Sequence, residues 1–171
     1  KETGSIYNIY SATVSRLEFL VGKLVPYVMI SAVNVVLLWL MAVFLFAVPF
    51  KGSLLLFFAS SVLFVLTSTG IGLTVSLLVS TQQAALIITV VESTVPTILF
   101  SGLIVPVSSL SQAAQFQAHL FPGMYYTNIV RGTFLKNVGL AVLWTDILAL
   151  AIYATVLGTI GYRLFSKRPS V

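Results

Sequence analysis

The sequence predicts an all-α integral membrane protein with four transmembrane helices, an amphipathic N-terminal segment and an outer cap of short helices. Three observations predict it. Apolar residues make up 58% of the 171 and charged residues 8%, where soluble domains run at roughly 45–50% and about 25%. Mean hydropathy is +1.07. Four stretches approach or exceed the ~20 apolar residues that cross a ~30 Å hydrocarbon core at ~1.5 Å per residue. None alternates with period two, so helices rather than barrel strands satisfy the backbone. These numbers exclude an ordinary water-soluble fold, a disordered chain and a nucleic-acid module with a solvated basic face.

Nine Lys/Arg stand against four Asp/Glu, too few charges for a phosphate-binding surface. Without cysteine there are no disulfides, thiol nucleophiles or thiolate metal sites. The single histidine, His119, argues against a histidine metal site. The chain starts at Lys1 in a polar stretch with no signal-peptide pattern, and is expected to be part of something longer.

Residues 1–22 mix Tyr7, Tyr10, Arg16 and Glu18 with apolar residues and predict a short amphipathic helix lying at the membrane face. The first span is expected over 23–49, with Pro26 in its first turn and Pro49 closing it. The second, 53–80, is interrupted by the small patch Thr67-Ser68-Thr69-Gly70. The third, 83–105, contains Glu92 and Pro96. Residues 106–138 carry Pro106, a Ser-rich run and Pro122-Gly123, which predicts two short helices that turn at Pro122-Gly123 and dip toward the membrane. The last span is expected over 139–165, with a tail at 166–171. Tyr125, Tyr126 and Trp144 suit an interface belt.

Four spans put both termini on one side. That side holds Lys1, Arg16, Lys23, Arg163, Lys167 and Arg168, and the other holds Lys51, Arg131 and Lys136. The excess of Lys/Arg in short flanks marks the cytoplasmic side, so both termini are expected in the cytoplasm.

Small residues every fourth position let helices approach closely in lipid. Ser68, Gly72, Ser76 and Ser80 form such a stripe on the second span, and Ala154 and Gly158 a shorter one on the last. Both are expected to be packing seams, with a seam that slides during transport as the alternative. Glu92 lies eight residues past Ala84, roughly 12 Å along the helix. An ionisable group at that depth costs about 2.5–3.5 kcal/mol and suggests function. Two readings are open: a cavity-lining acid for a cationic substrate or proton, or a structural hydrogen bond to Asn34, to the hydroxyl patch or across a dimer axis. Pro96 removes the N–H that would bond the Glu92 carbonyl, which predicts a kink. Asn34 is expected to be structural glue with a place in the substrate path as the alternative, Asp146 a solvated acid near the outer interface, and Arg131 and Lys136 headgroup anchors. No phosphate loop, H-E-x-x-H or G-x-S-x-G is present, so no catalytic or metal-binding residue is expected.

Three ordered segments resemble the membrane subunits of ABC-2 type exporters. The first is Glu2-Thr3-Gly4-Ser5-Ile6, followed by Ser15-Arg16-Leu17-Glu18-Phe19 and Gly22-Lys23. The second runs from Phe100-Ser101-Gly102 through Pro106 to Leu110. The third is Phe121-Pro122 to Tyr125-Tyr126, then Arg131-Gly132-Thr133-Phe134-Leu135-Lys136. The chain is most similar to the subgroup with drug-efflux permeases and the ribosome-associated ATPase/exporter fusion. Glu92 departs from the pattern, where a small hydroxyl or apolar residue is expected.

The resemblance implies that the four spans are the third to sixth of six. It implies a coupling helix at 1–22, with Glu2, Gly4, Ile6, Tyr7, Tyr10, Arg16 and Glu18 seated against a cytoplasmic ATPase, subunit or fused domain, that binds ATP and Mg²⁺. It implies a second permease half, identical or not, surrounding membrane lipid, and room for a periplasmic adaptor. Ser101, Gly102, Pro106, Pro122, Arg131 and Gly132 would form an outer gate on a re-entrant hairpin, and Asn34, Glu92 and Pro96 a substrate path. The chain itself would be no enzyme and would sit in a bacterial inner membrane, exporting drug-like or lipid-like molecules. The rival expectations are a membrane anchor for a ribosome-associated ATPase and a proton-coupled carrier using Glu92.

Overall fold

A computed structural model describes residues 16–79 and 81–164. The expectations for Glu2, Gly4, Ile6, Tyr7, Tyr10, Ser80 and the C-terminal tail lie outside the described residues. Six α-helices follow in order, and no strand occurs among the described residues. They are α1 (Arg16–Leu40), α2 (Leu54–Leu78), α3 (Gln82–Phe100), α4 (Gln112–His119), α5 (Pro122–Arg131) and α6 (Leu140–Leu164). Four segments are long and apolar enough to cross a membrane: Leu20–Leu45, Leu54–Leu78, Gln82–Phe100 and Leu140–Leu164.

Three boundaries differ from the sequence expectation. Helix α1 runs without a break from Arg16 through Pro26 to Leu40, so Arg16–Gly22 is the start of the first span and not a separate surface helix. Nothing in Arg16–Val25 stops the helix, and Pro26 forfeits one hydrogen bond without ending it. The span then closes early in a π turn, Met41–Leu45. The Phe46 N–H bonds Met41 O at 3.0 Å and the Val48 N–H bonds Ala42 O at 2.9 Å, and Ala47 takes φ +50°. Residues 46–53 become a strap across the end of the bundle away from Arg16 and Leu164. Helix α3 stops at Phe100, five residues short of the expected end, where the Ser101–Val105 bend begins. It continues a full turn past Pro96.

Short polar caps fix the other starts. Ser53, Thr81 and Ser111 each accept the N–H of the residue three on, at α2, α3 and α4, which satisfies an otherwise orphaned donor. Pro122 opens α5 at a position where its missing N–H is harmless. Asn137, at φ +51°, turns the chain left-handedly after the π turn Gly132–Lys136 and leads it into α6.

Helix α2 is the centre of the bundle, packing on α1, α3, α5 and α6. Its closest approach is to α6. A β carbon on Gly70 would lie 3.1 Å from Leu157 Cβ, and one on Gly161 would lie 3.2 Å from Leu73 Cδ2. Thr67 lies in the same seam, fully buried, its hydroxyl near both Leu63 O (2.9 Å) and Leu150 O of α6 (3.3 Å). The seam therefore runs Thr67, Gly70, Leu73, on nearly the opposite side of the helix from the expected Ser68, Gly72, Ser76 stripe. Gly72 and Gly158 meet nothing within 4 Å. Ile129, Leu143 and Leu150 form the buried core where α5 meets α6.

An aromatic cluster packs beneath the strap. Phe50 of the strap packs edge-on against Trp39, Phe57 and Phe134 at 4.9–5.9 Å. The strap is also stitched by backbone: Gly52 N–H donates to Thr133 O at 2.7 Å and Lys51 N–H to Phe134 O at 3.3 Å. A β carbon at Gly52 would stand 2.7 Å from that same oxygen. The Trp39 indole N–H is buried without an acceptor.

Candidate substrate path and outer gate

The α4–α5 hairpin enters the bundle. Its turn lies at Leu120–Phe121, where the His119 carbonyl accepts two phenols, Tyr125 at 3.0 Å and Tyr153 of α6 at 3.2 Å. Tyr153 is thirteen residues past Leu140, about 20 Å along the helix, so the hairpin tip reaches well into the depth of the span. On the α2 side, Tyr126 stacks on Phe64 at 4.2 Å and its hydroxyl lies 2.9 Å from Ser61 Oγ. Burial pushes the Tyr126 phenol up, and the Ser61 hydrogen bond pulls it down less strongly, so the phenol stays protonated at neutral pH. On the α3 side, Phe121 stacks on Phe100 at 5.9 Å, and Gly123 comes within 3.4 Å of Thr97 Oγ1, measured from where a β carbon would be. Backbone polar groups at such depth must be satisfied by protein, and the two phenols do this for the exposed carbonyl of the α4 terminus.

Beside the tip lies a cavity of about 100 Å³ between α2 and α3, lined by Glu92, Ser93, Thr97, Ser68, Phe64 and Pro122 among others. Glu92 reaches it as an exposed side chain. No hydrogen bond joins Glu92 to Asn34 or to the Thr67-Ser68-Thr69 hydroxyls among the described residues. Thr67 and Thr69 bond backbone carbonyls instead, as hydroxyls in apolar helices do. Asn34 is exposed on α1 and is not part of this cavity. Pro96 is replaced in the lining by its neighbour Thr97. Of the three expected path residues, only Glu92 faces the cavity.

The expected gate residues are brought together in part. Arg131 Nη2 donates to Leu103 O at 3.1 Å, pinning the bend that follows α3. Ser101 is buried and its hydroxyl accepts the Leu103 N–H at 3.2 Å. Gly102, at φ +78°, leaves only 3.3 Å between a notional β carbon and Val107, a conformation that suits glycine. Pro106 opens the 3₁₀ turn Val107–Ser109, its carbonyl taking both the N–H and the hydroxyl of Ser109. Gly132 packs under Leu143, 3.1 Å from its Cδ2 by the same construction. Pro122 lies at the far end of α5, beside the Glu92 cavity.

Sequence reasoning missed the links that span many residues: Tyr153 to His119, Tyr126 to Ser61 and Gly52 to Thr133. The only local signal was the aromatic pair Tyr125-Tyr126. Asp146 accepts from Asn128 Nδ2 at 3.4 Å, so it is engaged by α5 and is not simply solvated. Of the residues expected to couple to an ATPase, Glu18 is exposed and Arg16 begins α1.

A model of the ABC-2 type transporter family matches residues 1–135, from the amphipathic segment through the hairpin. The chain belongs to this family. Among its relatives are two probable multidrug ABC transporter permeases of Escherichia coli strain K12. YbhR is 27% identical over 98% of this chain and 45% of its own length. YbhS is 30% identical over 80% of this chain and 36% of its own. ABC transporter G family member 20 of Dictyostelium discoideum is 27% identical over 82% of this chain and 19% of its own length. The ABC-2 chain thus spans less than half the length of these curated relatives. No solved structure matches it.

Proposed function

We propose that this ABC-2 chain is part of a permease subunit of an ATP-driven exporter in a bacterial inner membrane, with its termini in the cytoplasm. It moves a hydrophobic or amphipathic, drug-like or lipid-like substrate outward. A partner or fused ATPase binds ATP and Mg²⁺ and supplies the work, and a second permease half completes the path. The single observation that carries this reading is the hairpin seated deep in the bundle. Its tip abuts the Glu92 cavity while Arg131, at the other end of α5, holds the bend after α3. One rigid element touches both ends of a path, as a gated exit requires.

In this reading residues 1–22 couple to the ATPase. Arg16–Gly22 already belong to α1, so a push on them is delivered to a spanning helix. Relatives named as multidrug permeases support the substrate class. Reconstitution of the full parent chain with its ATPase in vesicles tests the proposal. Substrate should leave the ATPase-facing side only with ATP, and hydrolysis should rise with substrate. ATPase binding without export would favour the anchor reading. Export driven by a proton gradient without ATP would favour a carrier that uses Glu92.

A further inference from the structure

A second cleft lies away from the hairpin, between α1 and α2 at the end nearer the chain's N-terminal side. It holds about 310 Å³ and is lined by Lys23, Leu24, Tyr27, Thr69, Gly72, Leu73 and Ser76. From Thr69 to the end of α2 at Leu78 is nine residues, about 14 Å, which is close to one leaflet of a ~30 Å hydrocarbon core. Its lining combines two chemistries. Leu24 and Leu73 make the wall, while Lys23, Tyr27 and Ser76 bring an ammonium, a phenol and a hydroxyl to the same space. None of the three makes a hydrogen bond or ion pair among the described residues. Gly72 keeps the floor open, with nothing within 4 Å of where a β carbon would stand.

We propose that this cleft binds an anionic phospholipid of the adjoining leaflet, with the phosphate held at Lys23 and Tyr27 and one acyl chain laid over Gly72 against Leu24 and Leu73. Charge complementarity selects the ligand. A basic residue at the interface attracts an anionic headgroup, and a four-carbon stem lets its ammonium reach that level while Leu24 and Leu73 stay in the apolar wall. A neutral drug would leave the ammonium unanswered, and a soluble anion would leave the apolar wall uncovered. The site stands apart from Glu92 and does not require the exporter reading, since a lipid that is bound and never moved satisfies it.

The test uses the full parent complex in phosphatidylcholine nanodiscs doped with a diazirine-bearing phosphatidylglycerol, with adducts mapped by peptide mass spectrometry. Adducts are expected around Leu24–Tyr27 and Thr69–Ser76, about fivefold over those from a diazirine phosphatidylcholine, the preference one basic residue supplies near an anionic surface. Lys23→Gln should reduce the phosphatidylglycerol signal to the phosphatidylcholine level, Lys23→Arg should keep it, and Lys51→Gln at the opposite face should change nothing. Gly72→Leu should remove adducts from both probes at these positions. Equal labelling by the two probes, labelling unchanged in Lys23→Gln, or no adducts at these positions would overturn the site. ATP-driven export measured on the same complexes separates the two proposals: adducts without export leave this site standing and remove the exporter reading.

Discussion

Gly52 is the residue whose replacement has the clearest steric outcome. Its amide holds Thr133 O at 2.7 Å, and a methyl group would land at that same distance from the oxygen. Gly52→Ala must therefore break the stitch between strap and hairpin, with an expected loss of about 2–3 kcal/mol, the range of steric and hydrogen-bond lesions combined. A lowered thermal midpoint of the parent protein in detergent checks this, and an unchanged midpoint would mean the strap carries no stability. Glu92 belongs to the opposite class. It is exposed and makes no bond to the hydroxyls beside it, so Glu92→Gln should leave the amount of protein in the membrane near normal and alter which substrates are exported. Normal export of every substrate with less inserted protein would give Glu92 a structural role. Residues of this kind were legible in the sequence: a lone acid, Gly102 and Arg131 stand out against an apolar background. Gly52 was not, because its partner is 81 positions away and nothing local marks the pairing.

At the scale of elements, the hairpin depends on how its turn is satisfied. Two phenols share one carbonyl at His119, one from α5 and one from α6. Tyr153→Phe removes the only one of the two that comes from another span. The expected loss is about 0.6–1.7 kcal/mol, the span of measured interhelical hydrogen bonds in membranes, felt as increased accessibility of a cysteine placed at Leu120 to a water-soluble maleimide. Identical labelling with and without Tyr153→Phe would show that Tyr125 alone suffices. The existence of the four spans was readable because each apolar run is long enough to cross and too regular to be anything else. Their ends were misplaced by up to seven residues. Apolarity continues through Phe46–Val48 and Leu103–Val105, while the hydrogen-bond ladder has already stopped at a π turn or a bend. The seam on α2 was misassigned for a related reason. Small residues occur on more than one side of that helix, and spacing alone does not say which side meets α6.

For the whole molecule, the proposed coupling segment and the hairpin would act as one mechanical system. Arg16–Gly22 open α1, the strap continues α1, and Gly52 ties the strap to the π turn that follows α5. Tyr10→Asp in the parent complex should therefore slow export at least tenfold while the ATPase still hydrolyses ATP, a difference equivalent to about 1.4 kcal/mol in coupling. Export and hydrolysis measured in the same vesicles decide it, and unchanged export would take Tyr10 out of the coupling surface. Such long-range linkage could not be read from composition or periodicity, which report only on neighbours within a turn or two.

The unanswered indole at Trp39 gives the aromatic cluster a built-in optical signal. A buried donor without an acceptor sacrifices about 1–3 kcal/mol, so any rearrangement that carries a carbonyl or solvent to that nitrogen recovers part of the deficit. With Trp144 and any tryptophan of the parent outside this chain replaced by Phe, the Trp39 emission should be blue-shifted at rest and move to longer wavelength as the aromatic lid loosens. Its colour would then time the lid's movement against each round of nucleotide turnover.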